Sequence, residues 1–106
     1  MTITIPDPND AESSTQSSEM MTRAKTLALA ALGWILQDGE RAERYLELTG
    51  LDADSLRAGL DDPALLGSTI DFLANYEPDL IRASEALAVS PEELIAQKTH
   101  LNGEGI

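Results

Sequence analysis

From Glu19 onward, apolar residues recur at the spacing of a helix. Met20, Ala24, Leu27, Ala31 and Trp34 follow one another at steps of three or four positions, and Leu29, Leu32, Ile35 and Leu36 widen the stripe. A helix apolar around so much of its circumference belongs at the centre of a fold, with Glu19 and Arg23 paired on its wet side. The Asp38-Gly39 pair breaks the pattern and predicts an end near Gln37.

Five further helices follow, each marked by its own start signals. Asp38 is a predicted N-cap for residues 39–48, where Ala42, Tyr45, Leu46 and Leu48 face inward and Glu40, Arg44 and Glu47 form an outer charge ladder. Gly50 then takes the left-handed closing position. Asp52 caps a third helix over 53–60, with Leu51 and Leu56 as a hydrophobic staple. Asp62 caps a fourth opened by Pro63, whose apolar face is Leu65, Leu66, Ile70, Phe72 and Leu73. Pro78 opens a fifth carrying Leu80, Ile81 and Leu87. In the sixth every signal coincides: Ser90 and Glu93 form a capping box, Pro91 comes first, and Val89 with Leu94 make the staple.

The pattern predicts an all-α protein: a single compact bundle of about six short helices over residues 19–101. Its expected core includes Leu32, Trp34, Ile35, Leu56, Ile70, Phe72, Leu73 and Leu94. Residues 1–18, with "PDPNDAESSTQSS", read as a disordered acidic and Ser-rich tail, and 102–106 as a frayed end. Laid over itself at a shift of 38 residues, the chain sets Leu27 on Leu65, Trp34 on Phe72, Asp52 on Ser90 and Leu56 on Leu94. The bundle is therefore read as two pseudo-repeated three-helix units, too few for a solenoid.

Composition narrows the chemistry. The 106 residues suit one domain, and only 4% are aromatic, so Leu, Ile and Ala must build most of the core, with Trp34 and Phe72 as bulky rings. There is no cysteine, which excludes disulfides, thiolate metal sites and thiol catalysis, and His100 is the single histidine. Nineteen acidic residues against seven basic ones give a net charge of −12, which repels phosphate backbones and anionic lipid headgroups. The longest apolar run, "LALAALGWIL" at 27–36, is far shorter than the roughly 20 residues of a bilayer span. "MTITIPDPND" has neither a basic start nor an apolar stretch of a secretory signal, so a cytoplasmic location is expected, with no membrane contact.

"ASEALAVSPEEL" has the cadence of a helix-turn-helix: a helix, a short turn of small residues and a capped second helix. The charge contradicts it. Glu92 and Glu93 occupy the turn that would enter a groove, and Lys98 is the only formally charged cation on that helix. A DNA-associated regulator is therefore the alternative reading and no nucleic acid is an expected partner. Asp52, Asp54, Asp61 and Asp62 raise the question of calcium, but an EF-hand register begun at Asp52 places Leu56, Arg57 and Pro63 at its fifth, sixth and twelfth positions. These acids are better explained as helix caps and first-turn charges. No catalytic triad order, phosphate loop or dinucleotide fingerprint is present, so neither enzymatic activity nor a cofactor is expected. Met20 and Met21 are candidate partner contacts, because methionine suits adaptable interfaces. The expected role is a non-enzymatic protein-interaction or signalling-adaptor module with a basic protein partner; self-association is left open.

The stretch from Lys25 to Leu101, through "ALGWILQDGERAERYLELTGLDADSLRAGLDDPALLGSTIDFL" and "VSPEEL", resembles a bacterial family known as domain of unknown function 3572. Relatives in that family tend to have Pro where this chain has Gly39, and Gly near Ala88. The resemblance implies no catalytic or ligand residue. It does imply a two-component response regulator as a possible kind of partner, since genes of such regulators often lie beside those of the family.

Overall fold

Helix starts in this protein are set by short local signals, and the structure follows them closely. The computed structural model describes residues 8–102, and the side chains of 19–102. Six helices follow in order: α1 (Pro8–Leu36), α2 (Gly39–Thr49), α3 (Ala53–Ala58), α4 (Pro63–Ala74), α5 (Glu77–Leu87) and α6 (Pro91–Leu101). Asp38 accepts a hydrogen bond from the Glu40 N–H at 3.2 Å and Asp52 one from Ser55 at 2.8 Å. Asp62 does the same for Ala64 at 2.9 Å and Ser90 for Glu93 at 3.0 Å. Each bond satisfies one of the N–H groups that a helix start leaves without an internal partner. At Glu93 only the backbone takes part; among the described residues its carboxylate returns no bond to Ser90, so the expected capping box is half closed.

Three boundaries differ from expectation. Helix α1 starts at Pro8, not Glu19, so helical backbone occupies 8–18 where a disordered tail was expected. Propagating an existing helix costs little compared with nucleating one, and Pro is well suited to a first helical position. Residues 1–7 of that tail, and 103–106 of the frayed end, lie outside the described residues. Helix α3 stops at Ala58, because Gly59 closes it and its carbonyl accepts the Asp62 N–H at 2.9 Å, turning the chain into α4. Helix α5 starts at Glu77, one residue before Pro78.

Helix α1 is the centre, with α2, α4, α5 and α6 packed against it, and α6 wedged against both α1 and α4. Ala24, Ala28 and Ala31 are fully buried on α1, and such small side chains let neighbouring helices approach closely. Leu32, Ile35, Ile70, Phe72, Leu73 and Leu94 lie in the core.

Two expected core residues do not. Trp34 is only partly buried, because its ring lies at the edge of α1, where the Arg41 guanidinium stacks over it at 3.6 Å. Leu56 is partly buried because α3, its helix, buries no residue at all. The aromatic at the centre is Tyr45, fully buried, edge-on to Phe72 at 5.4 Å and bonded through its hydroxyl to Thr69 at 3.1 Å. Leu29, Leu36, Leu48 and Ile81, assigned to apolar faces by their spacing, are exposed.

The repeat is visible in the helix boundaries. Leu36 and Ala74 end α1 and α4, Gly39 and Glu77 start α2 and α5, and Thr49 and Leu87 end them. Ala53 and Pro91 start α3 and α6, and each of these pairs is 38 residues apart. The closing residues Gly50 (φ +73°) and Ala88 (φ +59°) share the left-handed conformation.

Candidate functional site

A cleft of about 860 Å³ lies between α4 and the α2–α3 corner. Leu65 and Phe72, seven residues apart on α4, face it from one helix side, and Leu51 faces it from the corner. Leu48 forms its lip in the last turn of α2 and is 72% exposed, an unusual position for a leucine with apolar neighbours at hand. The α3 wall is made of small residues: Ser55, Ala58 and Gly59. A Cβ at position 59 would lie 2.5 Å from Leu65 Cδ1, so any larger residue there pushes on the cleft floor.

Acids rim this cleft. Asp62 stands at the start of α4, and Asp71 further along the same helix pairs with Lys98 of α6. The Ser55 backbone N–H, and after it the Ser55 hydroxyl, hold the neighbouring Asp52 carboxyl below the ordinary aspartate range. From Glu47 to Asn75 the sequence carries six acids and one arginine.

A second cleft, of about 360 Å³, lies between α1 and the α5–α6 corner. It is the counterpart of the first under the 38-residue repeat. Leu27 stands where the wide cleft has Leu65, Val89 where it has Leu51, and Leu87 where it has Thr49. Glu93 and Gln97 replace Ser55 and Gly59, and these longer side chains account for part of the narrowing.

The four acids considered for calcium do not converge. Asp52 and Asp62 cap α3 and α4, Asp54 pairs with Arg57 at 3.3 Å, and Asp61 with Lys25 at 3.2 Å. Among the described residues no three acidic or histidine side chains form a group that could hold a metal ion. No helix there is long and apolar enough to cross a membrane. Of the candidate contacts, Met20 is exposed on α1 while Met21 packs partly buried against the core, and neither faces the wide cleft.

In the helix-turn-helix cadence, α6 turns Leu94 and Leu101 into the core and presents Glu92, Glu93, Ile95, Ala96 and Thr99 outward. Lys98 is drawn to Asp71 on α4. The exposed face thus offers a phosphate wall two glutamates and one lysine already paired with Asp71.

Sequence reasoning missed one polar centre. Asp79, in the first turn of α5, is only 3% exposed and bonds to Arg44 of α2, with Arg82 at 3.7 Å. Arg44 also lies over the Phe72 ring at 5.3 Å and the Tyr76 ring at 5.1 Å. The expected outer ladder is therefore broken at Arg44, which ties the two halves together. No local signal marks this pair, since its partners are 35 residues apart.

Nothing among curated proteins matches the chain, and no solved structure does. A family model does match, over residues 21–104, and its description is "Protein of unknown function". That match takes in all of α2 to α6, both clefts and the buried part of α1, and on it the chain belongs to the DUF3572 family.

Proposed function

We propose that this protein is a non-enzymatic protein-interaction module that receives its partner in the wide cleft. The observation that carries the reading is the combination of Leu48, exposed on the lip, with an apolar floor and an acidic rim. An apolar depression with a polar rim is typical of protein-binding sites. The acids near the cleft are occupied in caps and ion pairs, an arrangement that supports binding better than proton transfer. Duplex DNA is not a partner in this reading, because the face of α6 that would meet it is acidic.

Affinity capture from the native host tests the proposal, comparing the full chain with Leu48→Asp and with a remote exposed variant, Ile81→Asp. A protein identified by mass spectrometry that is retained by the full chain and Ile81→Asp, and lost with Leu48→Asp, supports it. Retention that ignores Leu48 overturns it. Fluorescence anisotropy with mixed-sequence duplex at low salt should show no binding; salt-sensitive binding at about micromolar concentration would return the DNA-regulator reading.

A further inference from the structure

The wide cleft and its narrow counterpart share a backbone plan but not a charge. Asp62 and Asp71 rim the wide one, and the positions 38 residues earlier are Ala24 and Gly33. The narrow cleft is lined instead by Glu93 and Arg23, whose charges offset, so of the two linings only the wide one is acidic. Asp62 and Asp71 are nine residues apart along α4, about 13 Å at a helical rise. Between them Leu65 and Ser68 face the cleft, and Phe72 extends that floor past Asp71.

We infer that the wide cleft takes one amphipathic α-helix, laid along α4, with an apolar stripe against Leu65 and Phe72 and Lys or Arg at both ends of that stripe. The inference rests on the interaction reading above and specifies its occupant. The cleft is open to solvent along one side and bounded by α2, α3 and α4. That shape suits a helix in a groove better than an engulfed small molecule. Leu48 closes over the inserted stripe from the lip, which accounts for an apolar side chain left 72% exposed in the free protein. Nine residues are about two and a half turns of α4, so cations about 13 Å apart on the two flanks of the inserted stripe reach Asp62 and Asp71 together. The second competes with Lys98 for Asp71, so binding releases the α4–α6 ion pair. Ser55 and Ala58 keep the α3 wall low, and the narrow cleft has the longer Glu93 in place of Ser55.

The test uses a labelled helix-forming Leu/Lys peptide with lysines about two and a half turns apart, and a Leu/Glu peptide of the same design. Anisotropy titrations compare the full chain with the double variants Asp62→Asn/Asp71→Asn and Glu85→Gln/Glu92→Gln. Asn retains the α4 cap, and thermal melts check that both variants fold. The Leu/Lys peptide should bind the full chain and weaken about tenfold with Asp62→Asn/Asp71→Asn, and more so at low salt. It should be unchanged by Glu85→Gln/Glu92→Gln, and the Leu/Glu peptide should not bind. Amide shifts should cluster at Leu48, Ala58, Leu65 and Phe72. Equal weakening by both double variants, equal binding of both peptides, or shifts centred on Leu27 and Val89 would each overturn the inference. Absence of Leu/Lys binding alongside Leu48-dependent capture of a partner would reject this occupant and leave the interaction reading standing.

Discussion

The corner at Gly50–Asp52 and the corner at Ala88–Ser90 are built alike and put to different uses. Each closes a helix with a left-handed residue and passes through one apolar residue. Each then starts the next helix with a side-chain oxygen accepting the N–H three positions on. After Ser90 the helix runs for 11 residues and buries Leu94 and Leu101 against α1 and α4. After Asp52 it runs for 6 and buries nothing. The divergence lies at the far ends. Gln97–Leu101 continue α6 to a second apolar anchor, whereas Gly59 and the Asp62-Pro63 pair end α3 and begin α4. Local chemistry decides where a helix begins, and apolar residues beyond its first turn decide whether it joins the core. The half whose last helix failed to do so is left with the wider cleft.

Core substitutions should separate the two corners most sharply. Leu94→Ala is expected to cost about 2–5 kcal/mol in urea unfolding, since Leu94 is fully exchanged from water into a packed interior. Its counterpart Leu56→Ala, partly buried on α3, should cost under about 1.5 kcal/mol. Equal losses would erase the asymmetry. The tie between the halves comes next. Arg44→Met leaves the buried Asp79 carboxylate with only the distant Arg82, and should cost about 1–3 kcal/mol, below the range of a fully buried pair because Arg44 itself is 44% exposed. Adding Asp79→Leu should recover much of that loss. If the double variant is no more stable than Arg44→Met, the unpaired charge is not the cause.

The caps should behave unequally despite equal geometry. Ser90→Ala is expected to lower global stability by about 0.5–2 kcal/mol, because α6 cannot loosen without exposing Leu94. Asp52→Ala should speed amide exchange within α3 while the melting temperature changes less, since α3 can fray with the core intact. Identical exchange profiles in the two variants would place α3 in the cooperative unit.

The closing residues offer a smaller and opposite pair. Ala88 holds φ +59°, where a Cβ is strained, so Ala88→Gly should stabilise by about 0.5 kcal/mol after Gly's entropy in the unfolded chain is offset. Gly50→Ala should destabilise by about 1 kcal/mol for the same reason. Thermal melts of both suffice, and shifts of the same sign would contradict shared left-handed geometry.

Acid should discriminate between the corners most finely. The Asp52 carboxyl titrates lower in the folded chain than in the unfolded one. Its contribution is therefore complete above the ordinary aspartate pKa of about 3.9 and is lost as pH falls through the depressed folded value. The Ser90 hydroxyl does not titrate there, so α3 amides should lose protection on acidification before those at the start of α6. Loss in the reverse order would show that Asp52 does not hold α3 in place.

Much of the helix grammar was legible because it is local. Asp38, Asp52, Asp62 and Ser90 each signal a start within four residues of the bond they make, and the 38-residue register follows from apolar spacing alone. Periodicity could not rank apolar residues by burial. Leu48 and Tyr45 lie three apart on α2 and both fit an inward face, yet one is 72% exposed and the other fully buried. Nor did composition mark residues 8–18 as helical, because that backbone continues a helix nucleated elsewhere.

What the sequence determined by itself was the all-helical class, the four helix starts capped by a side chain, the doubled plan and the net acidic charge. All of these depend on interactions within a turn or two of chain, or on a sum over residues. Tertiary structure alone decided that Tyr45 rather than Trp34 fills the centre, that Arg44 crosses to Asp79, and that one cleft stays wide while its counterpart narrows. Those outcomes depend on contacts between helices far apart in sequence; the last follows from α6 burying Leu94 and Leu101 against α1 and α4 while α3 buries no residue.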